Sequence, residues 1–216
     1  MYINILKEEL VPAMGCTEPI CLAYAAAKAR EILGETPEKV DILASGNIIK
    51  NVKSVIVPNT NGMKGLKASV AIGIIGGNAA KELEVIANVT EDEKQKTKEF
   101  LETTPMTITH INSQEQLDVT VKLYKDNHHA SVRISGFHTN IVYIQKDDTV
   151  LFESTTIGKP SANLTDRSIL SMEGIYDFAN KVEINDVKEI LKRQLEYNKA
   201  ISEEGLNNSW GANIGS

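Results

Sequence analysis

The cysteine at position 16 is the strongest candidate for a reactive side chain in this sequence. Cys16 comes just before a segment, starting at Pro19, that predicts a helix. Unpaired N–H groups and the dipole at a helix start favour a thiolate, which could bind a metal or act as a base or nucleophile. A cysteine in such a position is also commonly a small buried hydrophobic residue, and that alternative stays open. Cys21 lies about 140° further around the helix at roughly 100° per residue, so we predict that it is a core residue and that the two sulfurs do not converge on one ion.

His138 has the position best suited to proton transfer among the four histidines. It lies in a bend at residues 136–140, between two strand-like runs, where a side chain could point into a cleft. An imidazole that titrates near neutral pH suits proton abstraction. A histidine at the surface of a hairpin would give the same pattern. His110, His128 and His129 have no metal-ligand partner at a diagnostic spacing, and we assign them no role.

Two turn-rich segments could bind a small anion. The loop at residues 58–65 opens onto a predicted helix, whose N–H groups and dipole suit the carboxylate of an amino acid. A structural turn without a ligand is the alternative. The segment at residues 45–51 offers a hydroxyl group, amides and a cation, although ordinary surface turns contain the same groups. The glycines match neither the Walker pattern nor the dinucleotide-binding pattern.

The composition excludes several classes of protein. The chain has 216 residues, 42% of them hydrophobic, and a net charge of −6 that is spread along the sequence. It can therefore bury a core, and we expect no binding to nucleic acid or to a membrane surface. Its first residues lack the pattern of a signal peptide, and its apolar stretches fall short of the roughly 20 residues that span a bilayer. Two cysteines cannot form a disulfide framework, which indicates a reducing cytoplasm.

The hydrophobic patterns predict an α+β fold with Ala- and Gly-rich buried helices, an antiparallel sheet in the second half and C-terminal helices. Predicted helices cover residues 3–11, 19–33, 66–75, 81–101 with a break near Asn88, 168–180 and 184–202. Predicted strands cover residues 40–44, 54–57, 106–111, 117–124, 130–135, 140–145 and 149–153. The change of pattern at residue 105 indicates that the 1–216 unit divides into subdomains at 1–104 and 105–216.

Several motifs occur in the same order as in a known family. They are Gly15-Cys16-Thr17-Glu18-Pro19-Ile20, Ser45-Gly46-Asn47 with Lys50-Asn51, Val57-Pro58-Asn59-Thr60, Gly76-Gly77-Asn78 with Leu83-Glu84-Val85, Gly136 with His138 to Val142, and Ser202-Glu203-Glu204-Gly205-Leu206 with Trp210-Gly211. Taken together, they resemble the L-cysteine desulfidases of the iron–sulfur dependent L-serine dehydratase alpha-type family. The resemblance covers nearly the whole chain and is to the N-terminal half of that family.

The resemblance implies a lyase that performs β-elimination on L-cysteine, giving pyruvate, ammonia and hydrogen sulfide, with L-serine as the alternative substrate. It implies a 4Fe-4S cluster held by three thiolates, with one iron open as a Lewis acid, and no pyridoxal phosphate. Cys16 would be a cluster ligand or a catalytic thiolate beside the cluster, and His138 the base or a substrate contact. The residues implied in substrate binding are Thr17, Glu18, Ser45, Asn47, Lys50, Asn51, Asn59, Thr60 and Gly62.

The resemblance also implies a partner for this chain. Members of that family continue with a second half that carries further cysteines, so a C-terminal half, in cis or in trans, would have to complete the site, and the chain alone would be inactive. Two other classes stay open. One is a module that binds an amino acid or another carboxylate without turnover. The other is an α+β assembly scaffold, which could form a homo-oligomer through exposed apolar surface.

Overall fold

The computed structural model describes residues 1–154 and 165–209. It confirms the α+β class. The chain forms two compact units, one of Met1–Val11 with Ala162–Ser216 and one of Pro12–Ser161. The division at residues 104 and 105 stays a prediction. The Trp210-Gly211 part of the last motif lies outside the described residues.

Seven α-helices and six strands make up the described chain, with short 3-10 helices at Ala79–Glu84 and Arg167–Ile169. The helices are α1 (Tyr2–Glu9), α2 (Thr17–Leu33), α3 (Gly46–Val52), α4 (Gly65–Gly76), α5 (Glu91–Thr103), α6 (Met172–Lys181) and α7 (Ile184–Asn207). The strands are β1 (Lys39–Ser45), β2 (Met106–Ile111), β3 (Asp118–Lys125), β4 (His128–Ser135), β5 (Ile141–Lys146) and β6 (Thr149–Glu153). They form one sheet in the order β2-β1-β3-β4-β5-β6.

Helix α2 is the central helix of the larger unit. Its alanines, with Ile20, Cys21 and Leu22, are buried around most of its circumference, as the sequence predicts. It packs against α4 on one side and against β3 and β4 on another. The helix ends at Gly34, whose φ of 94° is left-handed and therefore favours glycine. Its close approach to α4 depends on Gly73, where a Cβ atom would lie only 2.2 Å from the carbonyl oxygen of Ala23.

The sheet covers α2 with one of its faces. Val119, Val121 and Leu123 of β3 are fully buried, while Thr120 and Lys122 between them are only partly buried. This alternation places the apolar residues on the side of α2. The predicted antiparallel pairing is confirmed for the neighbouring pairs from β3 to β6, and β1 enters between β2 and β3, parallel to β2.

Two predictions about the first hundred residues are wrong. The strand at 54–57 is absent: only Ile56 pairs there, in an isolated bridge with Lys64. Just before it, α3 occupies Gly46–Val52 where the sequence indicated a break, because Ile48 and Val52 lie one turn apart and both are fully buried. The helix predicted at 81–101 is divided near Asn88, as the sequence indicated. A 3-10 helix covers Ala79–Glu84, and α5 begins at Glu91, where Thr90 and Glu93 form a reciprocal capping box.

The smaller unit consists of α1, α6 and α7. Tyr2 stacks on Phe178 with ring centroids 5.1 Å apart, and Arg167 forms ion pairs with Glu8 and Glu9. No helix within residues 1–154 and 165–209 has both the length and the apolar character needed to cross a membrane.

Candidate functional site

A polar cleft of about 410 Å³ lies at the start of α2 within the larger unit. Four segments of the chain form it: the first turn of α2, the start of α3, the segment before β3 and the bend between β4 and β5. The lining residues are Glu18, Asn47, Ile48, Gln114, Glu115, Gln116, Leu117, Gly136 and His138. Parts of three predicted motifs therefore meet at this cleft: Glu18 from the first, Asn47 from the second, and Gly136 with His138 from a third.

His138 contacts the first residue of α2. The Nε2 atom of His138 lies 3.0 Å from the Oγ1 atom of Thr17, although 121 residues separate them in the chain. Burial lowers the pKa of the imidazole below its ordinary value, and the negative charge of Glu18 opposes this shift. The ring is therefore neutral at neutral pH, as a general base must be.

Glu18 is the central acceptor of the site. Its Oε2 atom accepts a hydrogen bond from the Cys16 thiol at 3.0 Å, and its Oε1 atom accepts one from the Asn51 amide at 3.2 Å. The bond from Cys16 is the main cause that lowers the pKa of this carboxyl group, and the Asn51 bond adds to it. A carboxylate in the first turn of a helix is also favoured by the helix dipole. The negative charge of this helix start thus resides on Glu18.

Cys16 is exposed and precedes the first residue of α2, where the helix dipole by itself favours a thiolate. Partial desolvation raises the pKa of the Cys16 thiol, and its hydrogen bond to the Glu18 carboxylate raises it further. The helix dipole is thus outweighed by desolvation and a negative neighbour. In this geometry Cys16 donates its thiol proton to Glu18. Its roles as a cluster ligand or a catalytic residue stay predictions.

The donors of this chain do not fit a 4Fe-4S cluster. Such a cluster takes three or four thiolates from its protein, whereas the chain has two cysteines. Cys21 is fully buried in α2, as predicted, and burial strongly raises the pKa of its thiol. No group of three or more histidine, cysteine, aspartate or glutamate side chains in the described part of the chain could hold a metal ion.

Three more of the predicted residues lie on or beside α3. Asn47 lines the cleft. Ser45 is buried and donates its hydroxyl proton to the carbonyl oxygen of Gln116 at 2.6 Å, so it supports the cleft wall. Lys50 is exposed on the same helix. Their roles in substrate binding stay predictions.

The predicted residues of the 58–65 loop have structural contacts outside the cleft. The Asn59 amide donates to the carbonyl oxygens of Ile86 and Ala87 at 3.0 and 3.3 Å, and the Thr60 hydroxyl donates to that of Val57 at 2.6 Å. Gly62 has a φ of 89°, which the turn requires. Among the described residues that line the cleft, none comes from this loop. Substrate contacts from Asn59, Thr60 and Gly62 also stay predictions.

Sequence reasoning missed the segment before β3. Gln114, Glu115 and Gln116 all line the cleft. In the sequence they form a short polar run after a strand, as ordinary turns do. Only the pairing of β3 with β1 and β4 brings this run beside His138.

Comparison with known proteins identifies relatives along nearly the whole chain. It is 49% identical over 214 residues to a UPF0597 protein of Desulfitobacterium hafniense and 47% identical over 214 residues to one of Lachnoclostridium phytofermentans. A UPF0597 protein of Treponema denticola is 46% identical over 217 residues. These alignments include 99% of this chain and 50 to 51% of each relative, so the chain spans about half the length of the curated relatives it matches. No protein-family model and no solved structure matches it.

These findings overturn the family assignment made from the ordered motifs. The similar proteins carry the name UPF0597, which states no activity, and nothing in the comparisons indicates a serine dehydratase-type family. Each motif is short, and several of its residues form turns and caps that many folds need. Gly62, for example, serves the geometry of its own loop, and Asn59 fastens that loop to the backbone at Ile86 and Ala87.

Proposed function

We propose that the cleft at the start of α2 is the acid–base portion of a carbon–sulfur lyase site that acts on L-cysteine in the cytoplasm. The observation that carries this proposal is the 3.0 Å contact between Thr17 and a neutral, half-buried His138 at the edge of a polar cleft. Thr17 orients the imidazole, and Glu18 holds a fixed negative charge beside it. Cys16 and Asn51 keep that carboxylate in place.

The proposed reaction is a β-elimination that begins with proton transfer to His138. The imidazole takes the proton from the α-carbon, and the released electron pair forms the double bond between the α- and β-carbons. The bond from the β-carbon to sulfur breaks, and its electron pair leaves on hydrosulfide. The aminoacrylate product then hydrolyses in water to pyruvate and ammonia.

The polarity of the cleft supports a small amino acid as the substrate. Glu18 can accept hydrogen bonds from an α-ammonium group, and the amide of Asn47 can donate to a carboxylate. L-Serine is the alternative substrate. Hydrosulfide is a better leaving group than hydroxide, so elimination from L-cysteine is the easier of the two reactions.

Stabilisation of the carbanion requires an electrophile that the described residues do not contain. The relatives are about twice as long as this chain. We propose that a further portion of the protein, in cis or in trans, supplies this electrophile. Since the donors present here do not fit an iron–sulfur cluster, no step above depends on one.

The test is turnover of L-cysteine by the complete protein in which this chain occurs. Equal amounts of pyruvate and sulfide are expected, and His138→Gln should lower kcat by about 100-fold or more, the usual contribution of a general base. His128→Gln is the matched control, because His128 is exposed at a strand start and pairs with Asp147. Undiminished activity of His138→Gln, or pyruvate formed without sulfide, would refute the proposal.

A binding module without turnover is the second candidate function. The amide and carboxylate groups of the cleft favour it, since they can bind an amino acid. So does the cleft lining of the described chain, which contains no lysine or arginine that could stabilise a carbanion. Saturable binding of L-cysteine to the complete protein, with no pyruvate formed, would establish it.

An assembly role is the third candidate, because large apolar side chains of α6 and α7 are exposed. Met172, Tyr176, Ile184 and Ile201 are each more than 70% exposed. Association into a homo-oligomer through these helices would make the protein's sedimentation depend on its concentration, and Ile201→Glu would reduce that dependence.

A further inference from the structure

We infer that residues 113–117 form the substrate-selecting wall of the cleft and that Asp118 positions this wall. The inference rests on the proposed function, because it assigns substrate contacts to the same cleft. The two parts of the site have different roles. His138 transfers the proton, and the 113–117 wall distinguishes one substrate from another.

The side chains of this wall are available for a ligand. Gln114, Glu115 and Gln116 line the cleft, and in the described chain none of these three side chains has a hydrogen bond or ion pair to another residue. Two amides and a carboxylate can together donate to and accept from a small polar molecule. Polar groups of this kind give a site its discrimination, because a substrate that fails to pair with them leaves them unsatisfied.

The backbone of the same segment is fixed, in contrast to its side chains. The Ser45 hydroxyl donates to the carbonyl oxygen of Gln116 at 2.6 Å, and the N–H of Gly136 donates to that of Leu117 at 2.9 Å. The N–H of Glu115 donates to the Ser113 hydroxyl oxygen at 3.1 Å. The wall is thus attached to β1, to the bend before His138 and to itself.

Asp118 holds the start of this segment through Ser113. It is fully buried, and its carboxylate accepts two hydrogen bonds from Arg133, at 2.9 Å from Nε and 2.6 Å from the terminal nitrogen. The Ser113 hydroxyl donates to the same carboxylate at 2.6 Å. A buried ion pair is weak evidence for stability, whereas it can define one geometry. Here that geometry is the path of the chain from Ser113 to β3.

This arrangement predicts a separation of kinetic effects. Changes in the wall should alter KM and the preference between substrates, because the wall contacts the ground state and the transition state alike. They should leave kcat nearly unchanged, because the proton is transferred at His138. Asp118 and Ser113 are positioning residues, and their loss should act in the same direction as loss of the wall side chains.

The experiment measures kcat and KM of the complete protein for L-cysteine and for L-serine. Glu115→Gln is expected to raise KM for L-cysteine about tenfold or more, the effect of losing a hydrogen bond to a charged group, and to change the ratio of kcat/KM for the two substrates. Glu102→Gln, on an exposed position of α5, is the matched control. Ser113→Ala should change the same ratio, and Ser113→Thr, which retains the hydroxyl, should restore it.

Each outcome bears on the inference. A change in KM and in the substrate ratio with kcat within about threefold of the unsubstituted protein supports it. Turnover by the unsubstituted protein with no effect of Glu115→Gln or Ser113→Ala overturns this inference alone. No turnover of either amino acid by the unsubstituted protein overturns the proposed function and this inference with it. Asp118→Asn can fail to fold, so the decision rests on the Ser113 and Glu115 variants, with their folding checked by thermal melting.

Discussion

The contact between α2 and α4 provides the sharpest test of the architecture that holds the site. Gly73 of α4 faces the backbone of α2, and a Cβ atom at Gly73 would lie 2.2 Å from the carbonyl oxygen of Ala23. Ordinary contact begins at 3.4 Å, which leaves a shortfall of about 1.2 Å. The opposing atoms are backbone atoms, so no side-chain rotation can relieve the clash in Gly73→Ala.

The expected magnitude follows from two opposing terms. Overpacking of a well-packed core costs about 1–3 kcal/mol, and a backbone clash of this size belongs at the upper end. Alanine is the better helix former by about 1 kcal/mol, which offsets part of that cost. The free energy of unfolding should fall by about 2 kcal/mol, which lowers the melting temperature by about 4–8 °C in a unit of this size. Because Thr17 and Glu18 form the first turn of α2, a shift of this helix should also weaken the contact with His138.

The assay is urea or thermal unfolding followed by circular dichroism, with two controls. In Gly76→Ala the new methyl group meets only the movable side chains of Val89 and Glu93, at 3.1 Å and beyond, so the loss should be below about 1 kcal/mol. In Gly205→Ala nothing lies within 4 Å, so a gain of up to about 1 kcal/mol is expected. A Gly73→Ala protein as stable as the unsubstituted one would refute the close packing of α2 on α4.

Four further predictions concern the charges and the metal-binding donors of the site. The pKa of His138, followed by NMR, should lie below about 6.5. It should fall further in Glu18→Gln, which removes the negative charge that raises it. A rise in this variant would contradict the contact of Glu18 with the imidazole. The imidazole of the folded protein binds its proton less readily than that of the unfolded chain. Its contribution to stability is therefore complete above about pH 6.5 and is lost as the pH falls towards the folded pKa. His138→Gln should remove this pH dependence from acid unfolding curves. Alkylation of Cys16 by iodoacetamide at pH 8 should be slow and should become faster in Glu18→Gln. The reason is that only the thiolate reacts, and the Glu18 carboxylate disfavours formation of the thiolate. An unchanged rate would exclude the hydrogen bond between Cys16 and Glu18. This chain alone, reconstituted anaerobically with iron and sulfide, should show no thiolate-to-iron absorption, and stoichiometric iron would disprove the donor argument.

Elements with a strong local pattern were predictable from the sequence. Helix α2 begins two residues before Pro19 and ends before Gly34, close to the predicted limits. The strands from β2 to β6 follow their alternating apolar residues within one or two positions. Local backbone preferences and burial agree in these segments. In α3 they disagree: its β-branched residues favour a strand, and the burial of Ile48 and Val52 one turn apart imposes a helix.

The sequence by itself therefore determined the α+β class, the buried Cys21 and the first turn of α2 as a polar helix start. Only the tertiary structure decided that Thr17 meets His138 and that residues 114–116 line the cleft. The physical reason is the same for both. These contacts join the first turn of α2, the segment before β3 and the bend after β4, which are distant in the sequence and meet only when the chain folds.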